Sequence, residues 1–256
     1  MNKSLPFFLA LTLTLSMGSC ASRYKLTGVS SSRIIIDNRY DAHPDEAAAK
    51  FLAPYKQKVD SAMGPVVGRV AHDMAAKRPE SDLSNLLSDI LIWASKNYNE
   101  KPVFSIYNMG GIRAALLHGN VTYGDVLAVA PFENKICFLT LTGENLLELF
   151  QEMAAKGGEG VSHGVELVIT EEGKLLSAQV NGEPIKPEKE YRIATIDYLA
   201  HGNDGLTAFK KATKLVAPHE EQNNTRYIII DYFKEKAAKG ETVSAKVEGR
   251  IKVKSE

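Results

Sequence analysis

The stretch Val103-Phe104-Ser105-Ile106-Tyr107-Asn108-Met109-Gly110-Gly111-Ile112-Arg113 is the place to begin. Residues 103–107 form a short apolar run, and Asn108-Met109-Gly110-Gly111 closes it, the pattern of a strand ending in a turn. Gly110 and Gly111 permit backbone angles closed to other residues and let a ligand approach the main chain. Arg113 follows with a planar fork of donors suited to bidentate capture of phosphate oxygens. Taken alone, such a glycine pair is ordinarily a turn and such an arginine a solvated charge.

Working outward, strand-like runs alternate with single helices. Before the turn, Phe51, Tyr55, Val59 and Met63 recur every four residues, which predicts a helix ending near Gly64-Pro65. Ser81 predicts the cap of a second helix whose inner face carries Leu83, Leu86, Leu87, Ile90, Leu91 and Ala94. After the turn, residues 134–142 read as a strand. The helix that follows has Leu146, Leu149, Phe150 and Met153 inward and stops at Gly157-Gly158. Residues 165–170, 175–180 and 191–196 read as further strands, the first two joined through Glu171-Glu172-Gly173. A last helix is expected from Asn223 to Gly240, then a strand over 250–253. Closely spaced strands interrupted by single helices predict an α+β domain on a mixed sheet.

The first residues carry a processing signal. Lys3 precedes the apolar run 5–17, and the small residues Gly18 and Ser19 precede Cys20. The run is too short to span a membrane comfortably, so residues 1–19 read as a cleaved signal peptide. A Cys directly after small residues resembles the bacterial lipobox, which makes Cys20 the expected lipidation site; an ordinary signal peptide with an incidental Cys20 is the plain alternative. Several acyl chains on Cys20 would anchor the chain durably to a membrane. Residues 20–45 then form a lipidated tether and residues 46–256 the folded domain. With no acidic run after Cys20, the expected address is the outer membrane, facing the periplasm. The other cysteine, Cys137, lies in the apolar run 136–139 and reads as a buried thiol. The 31 basic and 31 acidic residues balance, which argues against a nucleic-acid binder.

Four blocks then gain meaning together: Glu80-Ser81-Asp82-Leu83-Ser84-Asn85, Asn108 to Arg113, Pro131-Phe132-Glu133-Asn134, and Asp197-Tyr198-Leu199-Ala200-His201-Gly202-Asn203-Asp204-Gly205. Their order and spacing resemble the C-terminal, substrate-binding domain of the 5′-nucleotidase and UDP-sugar hydrolase family, over residues 45–209. The resemblance implies that, in the matching Asn-x-Gly-Gly-x-Arg element with Gly110 and Gly111, Asn108 hydrogen-bonds the base and Arg113 contacts phosphate. It implies that Phe132 and Tyr198 clamp the nucleobase, and that Asp204 accepts hydrogen bonds from the ribose. Core packing is the ordinary fate of aromatics beside strands. Base–aromatic stacking is, however, worth about 1–3 kcal/mol per base and tolerates different bases. Lys77 and Arg78 are the candidate phosphate contacts from the upstream side. Met109 stands where the family has a small residue and is expected to crowd the loop. Asn203 replaces a glycine and is expected to tolerate left-handed backbone angles.

In the family, phosphate esters are cleaved with two metal ions held by a separate N-terminal domain, longer than the 107 residues before Asn108. Asp41-Ala42-His43 has the form Asp-x-His, but the remaining ligands of a dinuclear site are not in the sequence. The six histidines form no His-x-His pair. No catalytic residue, metal site or cofactor is therefore expected in this chain; divalent metals are expected on a separately encoded metallophosphatase. The implied function is the nucleotide-binding half of a periplasmic 5′-nucleotidase in nucleotide catabolism. A non-catalytic nucleoside- or nucleotide-binding lipoprotein is the rival.

Overall fold

The computed structural model describes residues 24–254. The expected signal peptide and Cys20 lie outside the described residues. Residues 24–36 have no regular secondary structure and are exposed, and Asn38–Tyr40 form one short turn capped by the Asp37 side chain. The helix Glu46–Met63 follows, with none of its residues buried.

The domain beyond it is built on three sheets. Its strands are β1 (Val66–Val70), β2 (Phe104–Tyr107), β3 (Gly119–Thr122), β4 (Ile136–Thr142) and β5 (Gly160–Val161). They continue with β6 (Val165–Thr170), β7 (Leu175–Val180), β8 (Glu183–Pro184), β9 (Glu190–Ile196), β10 (Thr213–Val216) and β11 (Ile251–Lys254). The main sheet runs β10-β4-β9-β2-β5, a second runs β11-β6-β7-β8, and β1 pairs with β3. Both larger sheets are mixed, with β2 parallel to β9 and β11 parallel to β6. The α+β expectation therefore holds.

Local chemistry explains the helices that cover these sheets. Asp82–Ala94 opens with a reciprocal cap between Ser81 and Ser84, which satisfies amides that the first turn leaves without partners. All six residues expected on its inner face are buried. Gly143–Ala155 buries Leu146, Leu149, Phe150 and Met153, and Thr225–Ala238 buries Ile228, Ile229, Ile230 and Phe233. Phe104, Phe138, Phe150, Phe209 and Phe233 are fully buried, each stabilising the core by about 1.5–3 kcal/mol. Cys137 is buried too, and its thiol is pushed up to about 12 chiefly by desolvation.

Register decides where the site falls. In the antiparallel β4–β9 pair Ile136 faces Ile196, and in the parallel β2–β9 pair Ser105 faces Ala194. The start of β4 and the ends of β2 and β9 thus meet at one edge of the sheet. Residues just before β4 and just after β2 and β9 must converge there.

Candidate functional site

Asn108, Gly110, Phe132, Asn134, Tyr198 and Asp204 line a cleft of about 160 Å³ at that edge. The volume is on the scale that holds one flat ring system. Phe132 is 48% and Tyr198 36% exposed, so neither ring is spent on core packing. Large apolar rings left this open beside polar groups mark a ligand cleft.

The floor is cross-braced. Asn108 is buried, and its Nδ2 donates to Asp204 Oδ2 at 2.9 Å. Tyr198 Oη donates to the other oxygen of Asp204, also at 2.9 Å. That bond holds the Tyr198 phenol above its ordinary pKa. Asn108 Oδ1 is buried without a partner, and a Cβ on Gly111 would come within 2.5 Å of it. Gly111 is therefore required by Asn108, while Gly110 lines the cleft itself. The left-handed non-glycine residue of the downstream loop, between the positive-φ Gly202 and Gly205, is Asp204 (φ 55°, ψ 23°) and not Asn203. Such a conformation costs about 1–2 kcal/mol in a residue with a Cβ, offset here by the two hydrogen bonds to its carboxylate. Asn203 instead braces the loop by donating from Nδ2 to the Tyr198 carbonyl at 2.8 Å.

Met109 does not crowd the cleft; it is buried and its amide donates to the Glu159 carboxylate. Glu159 has a fully buried side chain and pairs through its other oxygen with Arg78 Nη2. Burial raises the Glu159 pKa, opposed by the Met109 amide and by Arg78. Arg78 Nε donates to the Gly158 carbonyl at 2.8 Å. Arg78 thus sits behind the Asn108–Gly111 loop, engaged by protein groups. Lys77 is exposed one residue earlier. Arg113 is exposed; its amide donates to the Val129 carbonyl at 2.9 Å, while its side chain reaches its own loop, with Nη1 3.3 Å from the Gly110 carbonyl. None of the three cations lines the cleft.

The aromatic walls are tied to one another through Asp197. Its Oδ1 accepts the Lys135 amide at 3.1 Å and the Tyr198 amide at 2.7 Å. One carboxylate oxygen thereby sets the spacing between the segments that carry Phe132 and Tyr198. Sequence reasoning did not assign Asn134, Glu159 or Asp197. Asn134 was legible as a polar side chain two residues after Phe132, whereas Glu159 carried no local signal.

The upstream block plays a different part. Glu80 is buried, accepting Asn85 Nδ2 at 2.6 Å and the Glu248 amide at 2.8 Å. Asn85 Nδ2 also reaches the Lys246 carbonyl at 3.0 Å. These residues fasten the segment leading into β11 rather than line the cleft.

Residues 66–211 match the model of the 5′-nucleotidase C-terminal domain. The chain belongs to this family. A 5′-nucleotidase of Vibrio vulnificus is 26% identical over 209 residues, covering 80% of this chain and 36% of that protein. The UshA protein of Salmonella pullorum is 34% identical over 188 residues, covering 72% of this chain and 33% of that one. The chain thus spans about a third of the length of these relatives. Among solved structures, the 5′-nucleotidase precursor of Thermus thermophilus superposes with a TM-score of 0.71 at 28% identity, over 83% of this chain and 44% of that one. The fold and the substrate-binding domain read from the sequence are those of the family.

Proposed function

We propose that this chain is the nucleotide-binding half of a 5′-nucleotidase, holding base and ribose for hydrolysis by a separate metallophosphatase chain. One observation carries the reading: two exposed rings, Phe132 and Tyr198, flank a cleft whose floor is the braced pair Asn108–Asp204. A base between the rings stacks on either face, and every base has such a face. Asp204 offers the charged acceptor that ribose hydroxyls need, giving hydrogen bonds stronger than neutral ones. Asn108 at the floor and Asn134 beside Phe132 supply polar contacts, and Arg113, Lys77 and Arg78 are the cations for phosphate. The partner's divalent metals supply the activated water; this chain's residues bind, orient and exclude solvent. Lipidation at Cys20 would hold the pair at the outer membrane, facing the periplasm. An envelope address gains support from a Listeria monocytogenes cell wall protein, 26% identical over 229 residues and covering 83% of this chain and 29% of that protein.

A non-catalytic nucleoside-binding lipoprotein is the second reading, favoured by the engagement of Arg78 with Glu159. Phosphate release from AMP separates the two readings. The first predicts negligible release by this chain alone and clear release when it is mixed with a co-purifying metallophosphatase. Release by the isolated chain would overturn both, and binding without any gain on mixing would leave only the second.

A further inference from the structure

We infer that Arg226 is a positioning residue that sets the Phe132 ring for stacking on a nucleobase, an inference that rests on the reading above. The segment carrying Phe132 needs such a support. Pro131, Phe132 and Glu133 are all exposed, so packing against the core does not fix the ring. Pro131 also lacks the amide that could tie the loop to a neighbour. The tie comes from the first turn of Thr225–Ala238. Arg226 Nε donates to the Ala130 carbonyl at 3.2 Å, and Nη2 donates to the Pro131 carbonyl at 2.8 Å, with the Phe132 carbonyl at 3.5 Å. Alongside, the Thr225 amide donates to the Asn134 carbonyl at 2.9 Å. Four carbonyls of the ring-bearing segment are thus held by two adjacent residues of one helix end.

The residue type supports a role beyond the helix. A cation in the first turn of a helix opposes the helix dipole, and no acidic residue shares that turn. Arg226 is therefore poorly placed for helix stability and well placed for the loop. Its guanidinium is a rigid fork that reaches several acceptors at once, which an ammonium group cannot reproduce.

The test is a double-mutant cycle read by calorimetric titration of adenosine, using Arg226→Ala and Phe132→Leu. Leucine at 132 keeps an apolar contact while losing the stacking face. Arg226→Ala is expected to weaken adenosine binding about fivefold in the wild-type background and less than about twofold beside Phe132→Leu, because coupled residues fail to add. Arg226→Lys, which retains the charge and the stem, is expected to lose affinity like the alanine variant and provides the same comparison should alanine fail to fold. Equal losses in both backgrounds, or full affinity in Arg226→Lys, would overturn the inference while the binding reading stands. Absence of adenosine binding by the wild type would overturn both.

Discussion

The two ends of the cleft differ in how firmly the chain itself prepares them. At the proposed nucleoside end, Asn108 and Tyr198 are both hydrogen-bonded to the Asp204 carboxylate. Asp197 spans the two aromatic segments. At the proposed phosphate end, the Arg113 guanidinium is exposed and bonded to the Gly110 carbonyl of its own loop, and Arg78 is engaged with the buried Glu159. Preorganised groups lose little freedom on binding, whereas an exposed arginine must be ordered and competes with water and salt. On the proposed reading, the contrast assigns base recognition to this chain. Tight phosphate recognition waits for another surface.

The largest effect expected comes from breaking the brace that the two ends share. Glu159→Ala removes the acceptor of both the Met109 amide and Arg78, and should lower unfolding free energy by roughly 1.5–3 kcal/mol in urea titrations. Glu159→Gln keeps an acceptor for Met109 but releases Arg78. It should improve AMP binding relative to adenosine, and an unchanged ratio would show that Arg78 is no reserve phosphate contact.

Removing one wall is next. Phe132→Ala and Tyr198→Ala should each weaken adenosine binding by about 1–3 kcal/mol; Phe132→Ala should change stability little because its ring is exposed, whereas Tyr198→Ala also gives up a bond to Asp204. Calorimetry and thermal unfolding together would show it. Arg113→Ala should do less in the isolated chain, about 0.2–1 kcal/mol on AMP and nothing on adenosine. A large Arg113 effect would erase the distinction between the ends.

A control lies in the core. Burial raises the Cys137 thiol from 9.0 to about 12, so the folded protein keeps its proton where the unfolded chain loses it. The associated stability is complete below pH 9 and is lost as pH rises toward 12. Folded protein at about pH 8 should resist thiol alkylation until denaturant is added.

Much of this architecture was legible in the sequence, for reasons visible in single elements. The amphipathic helices were readable because burial recurs at helical spacing, as from Leu83 to Ala94. Among the strands longer than two residues, β1, β3 and β10 were not read. β1 contains Gly68, where a Cβ would come within 2.8 Å of the Phe233 ring, so a packing demand interrupts its apolar run. β3 is four residues long with one buried, and β10 is exposed along its whole length; neither carries a periodic signal. The residues lining the cleft were legible because they cluster in motifs at strand ends. Their supports were not, because the bonds span 81 residues from Arg78 to Glu159. Those from Lys135 to Asp197 span 62, and from Ala130 to Arg226 span 96. No local pattern reports such distances. The left-handed angle at Asp204 was not legible either, because it is held by bonds from Asn108 and Tyr198 rather than by the tolerance of any one residue type.

Comparing adenosine with AMP in calorimetric titrations of the soluble chain from Ala21 onward, with chelator present, tests the central claim most directly. Metal-independent adenosine binding is expected, with AMP within about fivefold of it, since the added phosphate meets only exposed cations. AMP binding some hundredfold tighter than adenosine, or no binding of adenosine at all, would contradict it.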